Sequence, residues 1–409
     1  MTGSIDYPTL PKGAAMLPVK SRFHLPEGLI YMDGNSLGPL PKGVPERVSQ
    51  VMTGEWGAHL IRGWNVDDWM GQPLAVANRV ARLIGAPEGS AVLGDTLSIK
   101  VHQALSAALP LRPDRKVILS DTGNFPTDLY MAQGLVAQLD AGHEVRTVAP
   151  ETVADAIDET VAVLMLTHVD YRTGRLHDME ALTRAAHDAG AVVIWDLAHS
   201  AGALPLDMET IGAEFAVGCT YKYLNAGPGA PAFISLAPRH AETVKPALSG
   251  WLGHEAPFAF DLDYRPGDGI ERMRVGTPPV LQMAALDAAL DVWDAVDMAA
   301  LRAASLALSD RFIAGVEAAC PELVLATPRA HAERGSQVSF RFENGYAAMQ
   351  ALIARGVIGD FRAPDIMRFG ITPLYLGESC IDRAVETLSQ VIRDRLWDRP
   401  EYHARARVT

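Results

Sequence analysis

Two stretches decide the fold: residues 191–202 read AVVIWDLAHSAG, and residues 213–229 read AEFAVGCTYKYLNAGPG. Each contains a short apolar run that is typical of a strand covered on both faces, and polar residues and glycines follow. Asp196 ends the first predicted strand, and Lys222 follows the second. Because ligands bind where the strands of an open α/β sheet end, these two side chains are the first candidates for a functional site.

Working outward, the region from about residue 90 to residue 236 alternates apolar runs with helical patterns. This alternation predicts an α/β fold, with a mostly parallel seven-stranded sheet that carries helices on both faces. The predicted strands are 91–93, 116–120, 144–148, 161–166, 192–196, 214–219 and 232–236.

After Pro279 the pattern changes to a long Ala/Leu-rich segment, 281–319, followed by strand-like 337–342, a helix from about Tyr346, strand-like 367–371 and a last helix. This order predicts a smaller α+β domain. We therefore expect three parts: an N-terminal segment, 1–50, that packs with the small domain; a large α/β domain, 51–280; and the small domain, 281–409.

The composition narrows the class of function. The 409 residues carry a formal net charge of −13, which argues against nucleic acid or an anionic membrane as the partner, since either requires a basic face. The first residues lack the apolar core of a secretory signal, and no stretch approaches the roughly 20 apolar residues of a membrane-spanning helix. The three cysteines are too few and scattered for a disulfide framework or a metal site. We expect a cytoplasmic protein without a metal, acting on a small molecule.

An acid and a lysine at one sheet edge fit pyridoxal phosphate. A lysine that forms a Schiff base must lose its proton near neutral pH, and partial burial favours the neutral amine. A carboxylate facing the ring nitrogen keeps the ring protonated, so that it accepts electrons. Asp196 alone is more typical of a helix cap, Lys222 alone of a solvated loop, and His199 alone of a core histidine. Together, Asp196 and Lys222 favour the cofactor.

Two further loops suit the rest of such a cofactor. Thr96 and Ser98 precede or begin a predicted helix, where hydroxyls, free N–H groups and the helix dipole bind phosphate; simple N-capping by Asp95, Thr96 or Ser98 explains this stretch equally well. Phe125 could stack on the ring, and Asp128 could contact it, although FPTD by itself is a turn with a helix cap.

At this point the chain resembles the kynureninase family, pyridoxal-phosphate enzymes of the aspartate-aminotransferase-like superfamily (fold type I). The resemblance spans residues 31 to about 283, and TYKYLNAGPG combined with GWLGHE is its most specific part. The matching motifs, in family order, are YMDGNSLGPLP, NFPTD, WDLAHSAGALPLD, TYKYLNAGPGAPAF, GWLGHEAPFAF and RVGTPPVLQM.

The resemblance implies hydrolytic cleavage of kynurenine, or of 3-hydroxykynurenine, by a homodimer whose active site lies at the subunit interface. Lys222, Tyr221 and Asp196 would be catalytic. The implied cofactor-binding residues are Leu97, Ser98, Phe125, Pro126, Thr127, Asp128, Thr167, Asp196, His199, Tyr221 and Lys222, with Trp251 and Thr277 from a neighbouring subunit.

For the substrate, the resemblance implies Asn35, Ser36, His59 and Arg368. Arg368 would bind the α-carboxylate, since a guanidinium matches a carboxylate as a two-pronged fork; without the resemblance, a surface strand arginine is an equally good interpretation. Leu252 and Arg172 stand where relatives carry aromatic residues, which leaves the preference between the two substrates open.

Three alternatives remain at this stage. GNSLG, residues 34–38, matches the nucleophile elbow of serine hydrolases, but the prolines that follow disfavour the helix that an elbow requires. A cysteine desulfurase, or another related pyridoxal-phosphate enzyme, shares the general plan; a desulfurase would need a nucleophilic cysteine on a mobile loop, whereas Cys320 and Cys380 sit at predicted helix ends. The third alternative is a binding protein without catalysis.

Overall fold

The apolar runs form the strands of a seven-stranded sheet in a computed structural model that describes residues 19–405. In chain order the strands are β1 (Ile30–Tyr31), β2 (Ala91–Leu93), β3 (Val117–Asp121), β4 (Glu144–Val148), β5 (Val161–Thr167), β6 (Val192–Asp196), β7 (Phe215–Gly218), β8 (Phe233–Leu236), β9 (Val324–Leu325), β10 (Gln337–Arg341), β11 (Val357–Ile358), β12 (Asp360–Arg362) and β13 (Ile366–Gly370).

The α-helices of the same residues include long crossover helices and single turns. In chain order they are α1 (Gly43–Gln50), α2 (Gly57–His59), α3 (Gly63–Val66), α4 (Gln72–Ile84), α5 (Leu97–Ala108), α6 (Pro126–Leu139), α7 (Met179–Asp188), α8 (Met208–Ile211), α9 (Val280–Leu290), α10 (Met298–Ala319), α11 (Gly345–Ile353), α12 (Glu378–Arg393) and α13 (Pro400–His403).

The large sheet has the strand order β2-β8-β7-β6-β5-β3-β4. Its neighbours run parallel except β8, which is antiparallel to both β2 and β7. The predicted α/β fold, with a mostly parallel seven-stranded sheet, is confirmed. In the register of β5 and β6, Thr167 lies opposite Asp196, so the last residues of these two strands share one edge of the sheet.

The chain divides into two compact units. The larger contains Gly43–Asp170 and His177–Asp291, and therefore the whole seven-stranded sheet. Every residue of β5 and β6 is buried, as an apolar run covered by helices requires. Edge strand β4 contains both polar and apolar residues and is partly exposed. In the core of the larger unit, helices α5 and α6 pack against the strands of the large sheet.

The smaller unit contains Tyr171–Leu176, residues 292–405 and the described part of the first segment, 19–42. It has a four-stranded antiparallel sheet in the order β12-β13-β10-β9 and a parallel pair, β1-β11. This is the α+β architecture that the sequence predicts. The domain boundaries expected at about residues 50 and 280 stay a proposal, and residues 1–18 of the expected N-terminal segment lie outside the described residues.

Local chemistry explains where the elements differ from expectation. The Ala/Leu-rich segment forms two helices, because α9 ends at Leu290 and Asp297 caps the start of α10 by accepting hydrogen bonds from the N–H groups of Ala299 and Ala300. The expected N-terminal segment, 1–50, contains β1 and α1 within its described part.

Within residues 19–405, none of the helices has the length and apolar character needed to cross a membrane. The cytoplasmic location expected from the sequence stays a prediction.

A substitution at Gly85 tests how tightly the chain is packed at the end of α4. Its φ is +62°, and an added Cβ would lie 2.4 Å from the carbonyl oxygen of Leu206, whereas Gly89, at φ +73°, has open space around it. We expect Gly85→Ala to lower the free energy of unfolding by about 3 kcal/mol, and Gly89→Ala by about 1 kcal/mol from backbone strain alone. Urea unfolding measures both, and equal losses would contradict the packing described.

Candidate active site

The turn of residues 94–98 leaves the start of α5 open to an anion. Gly94 and Asp95 have φ values of +153° and +57°, and the turn is fixed by backbone hydrogen bonds in both directions with Ala232. Thr96 is the N-cap residue, but its side chain makes no capping hydrogen bond. The N–H groups of the first turn of α5 therefore remain available, with the hydroxyls of Thr96 and Ser98 beside them, which favours the anion site over simple capping.

Two buried carboxylates, Asp128 and Asp196, lie together at the edge of the large sheet. Asp196 ends β6 and accepts a 2.7 Å hydrogen bond from the N–H of Ala198, while Asp128 comes from the first turn of α6. Burial, reinforced by the negative charge of Asp196, raises the pKa of Asp128 well above its usual range. Burial also raises the pKa of Asp196, against the opposing charge of Lys222. The pair therefore needs positive charge to stay ionised.

Lys222 brings that charge from the loop after β7. Its Nζ atom lies 5.9 Å from the ring centre of Phe125 and 5.8 Å from that of Tyr221. The loop is held in shape by Asn225, which has a φ of +60° and donates its N–H to the carbonyl oxygen of Lys222. Because the lysine charge acts on both Asp128 and Asp196, the amine and the carboxylates converge on one site.

The surrounding side chains complete a site with an aromatic wall. The hydroxyl of Thr167, at the end of β5, donates a 2.5 Å hydrogen bond to the side-chain oxygen of Asn124. Phe125 leaves 40% of its surface exposed at the N-terminus of α6, with Pro126 and Thr127 partly buried behind it. His199 is buried, with its ring edge-on to Tyr223 at 6.4 Å.

These residues fit pyridoxal phosphate. One oxygen of Asp128 is buried and accepts no hydrogen bond from residues 19–405, and a buried acceptor without a donor is unfavourable. A protonated pyridine nitrogen would add both an N–H donor and a positive charge between the carboxylates. Lys222, the exposed ring of Phe125 and the open start of α5 provide an amine, a stacking surface and an anion site in the same unit.

Trp251 and Thr277, which were expected to serve a neighbouring subunit, are themselves exposed. The Trp251 ring packs edge-on against Phe258 at 5.5 Å. His59, expected in the substrate pocket, is half-buried, and its Nδ1 atom lies 2.8 Å from the carboxylate of Asp67.

The smaller unit holds the other predicted substrate residues, around Arg368 on β13. Arg368 is 2% exposed, so it is not a surface strand arginine. Its guanidinium donates two hydrogen bonds to Asp360 on β12, the one from Nε at 2.5 Å, and it also donates to the hydroxyl of Ser36 at 2.9 Å and to the carbonyl oxygen of Tyr171 at 2.5 Å. The guanidinium that was expected to bind a substrate carboxylate is therefore paired with Asp360. Of its five N–H groups, one makes no hydrogen bond to residues 19–405.

Asn35 and Asp33 belong to the same group of residues as Arg368, Asp360 and Ser36. Asn35 is fully buried, yet neither its amide oxygen nor its amide nitrogen hydrogen-bonds to the described chain. Burial and the nearby charge of Asp360 raise the pKa of Asp33 to about 7. Burial opposes ionisation of Asp360 too, but hydrogen bonds and charge from Arg368 outweigh it and lower the pKa of Asp360.

Sequence reasoning missed Asn124, Asp33 and Asp360. A usable signal existed for Asp360, because DFRAPDIMR reads as a short hairpin in which Asp360 and Arg368 lie directly opposite each other. The cluster also removes the serine-hydrolase interpretation: the Ser36 hydroxyl donates a 2.5 Å hydrogen bond to Asp360, and no helix begins until Gly43.

Comparisons with known proteins identify two matching family models and close sequence relatives. Residues 301–388 match the model of the kynureninase C-terminal domain, and residues 75–219 match that of the DegT/DnrJ/EryC1/StrS aminotransferase family. A kynureninase of Burkholderia pseudomallei (strain 1106a) is 49% identical, covering 96% of both chains, and one of Pseudomonas fluorescens is 48% identical, covering 100% of both.

Solved structures share the fold at much lower identity. A cysteine desulfurase of Thermococcus onnurineus NA1 superposes with a TM-score of 0.79 at 18% identity, covering 95% of this chain and 100% of that one. A cysteine desulfurase of Escherichia coli gives a TM-score of 0.77 at 19% identity, covering 91% of this chain and 97% of that one. At such identities the likeness extends to the fold alone.

The raised pKa of Asp33 predicts how stability depends on pH. The folded protein keeps this proton up to about pH 7, whereas the unfolded chain releases it near pH 4. The contribution of Asp33 to the free energy of unfolding therefore falls as the pH rises from about 4 to about 7. Asp33→Asn should flatten that part of the pH profile, measured as melting temperatures from pH 5 to pH 8. Exposed Glu386, changed to Gln, is the control; an unaltered slope in Asp33→Asn would argue against the raised pKa.

Proposed function

The chain belongs to the kynureninase family, and on that premise we propose that it hydrolyses L-kynurenine to anthranilate and L-alanine with pyridoxal phosphate as cofactor. 3-Hydroxykynurenine, which would give 3-hydroxyanthranilate, is the second substrate under this proposal. The observation that carries it is the convergence of Lys222 with the buried pair Asp128 and Asp196. That arrangement supplies the amine and the acid that such chemistry requires.

Each part of the cofactor has residues suited to hold it. We assign the ring nitrogen to Asp196, supported by Asp128, the ring face to Phe125, and the phosphate to the 94–98 turn with Thr96, Leu97 and Ser98. Thr167 and His199 border the ring site. When bound, pyridoxal phosphate supplies a protonated ring that accepts the electrons released at the α-carbon of the substrate.

Lys222 performs the first proton transfer. Once the substrate amine has taken its place, the free amine of Lys222 is the general base that removes the proton from the substrate α-carbon. The rings of Phe125 and Tyr221, each just under 6 Å from Nζ, limit where the amine can move. Lys222 itself is half-buried.

Tyr221 supplies the second proton. Burial, and to a smaller extent the neighbouring Cys219, raises the pKa of Tyr221 above its ordinary value. The phenol therefore keeps its proton at neutral pH. Water adds to the γ-carbonyl of kynurenine, and the bond between Cβ and Cγ breaks. Cγ leaves as the carboxylate carbon of anthranilate, with one of its oxygens from the water. Cβ takes up a proton from Tyr221 to become the methyl group of alanine, and a proton released by the added water restores the phenol. Lys222 returns a proton to the α-carbon.

Substrate recognition is assigned to the predicted residues Asn35, Ser36, His59 and Arg368. We propose that the substrate carboxylate is bound by the positive charge and the remaining N–H group of Arg368. Asn35 offers a buried amide whose two polar atoms lack hydrogen bonds to the described chain, so it can pair with a polar group of the substrate.

A homodimer with the active site at the subunit interface is part of the proposal. Exposed aromatic and aliphatic side chains follow Trp251 in sequence: Phe258 is 62% exposed and Phe260 is 73% exposed, and Leu262 is exposed as well. Clustered apolar surface of this kind is typical of a protein interface. In the dimer, Trp251 and Thr277 would reach the phosphate bound by the neighbouring subunit.

The cysteines argue against a desulfurase. Such an enzyme needs a thiol that ionises readily, but burial and the charge of Glu322 raise the pKa of Cys320 to about 11. Cys380 lies in the first turn of α12, a fixed helix rather than a mobile loop. The desulfurase likeness is thus one of fold.

The proposal is tested by measuring fluorescent anthranilate released from kynurenine, beside sulfide released from cysteine. We expect turnover of kynurenine only, and a loss of at least about a thousandfold in Lys222→Ala, because the general base is gone. Lys245→Ala, which removes an exposed lysine, should keep full activity. Sulfide release without anthranilate, or normal turnover by Lys222→Ala, would overturn the proposal.

Arg368→Lys tests the substrate assignment. Lysine keeps the positive charge but loses the planar fork, so we expect KM for kynurenine to rise about tenfold while kcat changes much less. Arg341→Lys, at the exposed last residue of the otherwise buried strand β10, is the matched control. If KM is unchanged and kcat falls instead, Arg368 does not bind the substrate carboxylate.

A further inference from the structure

Lys100 is a buried lysine that the proposed mechanism does not use. It lies in the first turns of α5, the helix that begins at the 94–98 turn, and only 1% of its surface is exposed. Burying a charged ammonium is costly unless it is paired and hydrogen-bonded. A lysine in this position therefore requires an explanation, and its contacts provide one.

The ammonium of Lys100 is directed back toward the 94–98 turn. Its Nζ atom lies 3.4 Å from the carboxylate of Asp95 and donates a 2.9 Å hydrogen bond to the side-chain oxygen of Gln103. Burial lowers the pKa of Lys100 to about 8, while Asp95 acts in the opposite direction. At neutral pH the side chain is therefore mostly a cation, and it balances the negative charge of Asp95.

Gln103 extends this contact to a second segment of the larger unit. It is fully buried, and its amide nitrogen donates a 3.0 Å hydrogen bond to the carbonyl oxygen of Met273. Met273 ends a short helical turn just before Thr277, and Val275 between them accepts a hydrogen bond from the N–H of Leu252, next to Trp251. Contacts through the buried side chains of Lys100 and Gln103 thus link the 94–98 turn to the segments of Trp251 and Thr277.

The charge of Asp95 is the reason that this balance matters. Asp95 immediately precedes Thr96, and its carboxylate is partly exposed at the turn assigned to the cofactor phosphate. A carboxylate beside a phosphate dianion repels it unless a cation offsets the charge. Neither Thr96 nor Ser98 carries a charge, so the buried ammonium is the group that removes this repulsion.

We propose that Lys100 is a positioning residue for the cofactor phosphate: it neutralises Asp95 and fixes the 94–98 turn, and so determines how tightly the phosphate is bound. This inference rests on the proposed function, since it assumes that the turn binds the phosphate of pyridoxal phosphate. It concerns the phosphate and not the ring, which lies with Lys222 and Asp196. Removing Lys100 should therefore weaken binding of pyridoxal phosphate and spare binding of pyridoxal, which lacks the phosphate.

The experiment compares dissociation constants of the full-length apoprotein for pyridoxal phosphate and for pyridoxal, measured by titration of visible absorbance. Lys100→Met should weaken binding of pyridoxal phosphate by about tenfold or more and change binding of pyridoxal by less than about threefold. Adding Asp95→Asn to Lys100→Met should restore most of the lost affinity, because the unbalanced charge is removed. Asp95→Asn alone, with the ammonium intact, should bind pyridoxal phosphate at least as tightly as the unmodified protein.

Lys245→Met, at an exposed lysine, is the control and should match the unmodified protein. Equal weakening of both ligands by Lys100→Met would mean a general structural role and would overturn the inference, as would a double variant no better than Lys100→Met. If Lys100→Met does not fold, the measurement on Asp95→Asn decides: weaker binding of pyridoxal phosphate would sink the idea. An unmodified protein that binds neither ligand would instead refute the proposed function.

Discussion

The site depends on a charge that the protein cannot balance alone. Asp128 and Asp196 are buried side by side, and Lys222 is the cation that acts on both. With both carboxyl groups ionised, one amine leaves a deficit of positive charge, which is why the pKa of Asp128 is raised. One oxygen of Asp128 also has no donor among the described residues. The protonated ring nitrogen of the proposed cofactor would remove the deficit, and the same protonation would make the ring an electron acceptor. The electrostatics that favour cofactor binding are therefore those that favour the reaction.

Much of this arrangement could be predicted from the sequence, because parallel strands deliver their last residues to one edge of a sheet. Asp196 ends β6, Thr167 ends β5 opposite it, and Lys222 follows β7. Because β6 pairs with both β5 and β7, the proximity of these residues follows from the strand order. The pairing of Asp128 with Asp196 could not be predicted, because it depends on how α6 packs against the sheet. Likewise, the resemblance implied that Arg368 binds a substrate carboxylate, whereas the hairpin of β12 and β13 places Asp360 directly against its guanidinium.

Fold and chemistry separate clearly in this protein. The sheet and its crossovers are shared with cysteine desulfurases at under 20% identity, yet the buried cysteines lack the environment of a nucleophile. The candidate sites of the chain are formed by particular side chains: those of the 94–98 turn with Lys100 beside it, the aromatic residues around Lys222, and the Asp360–Arg368 pair of the smaller unit. Function resides in these sites and not in the sheet that carries them.

The most direct test of the account is the protonation state of the cofactor nitrogen in the protein. Pyridoxal phosphate labelled with ¹⁵N in its ring, bound to the full chain near neutral pH, would be observed by NMR. We expect the chemical shift of a protonated pyridine, and in Asp196→Asn the shift of an unprotonated one, because the balancing carboxylate is gone. An unprotonated ring nitrogen in the unmodified protein would contradict the central role assigned to the two carboxylates.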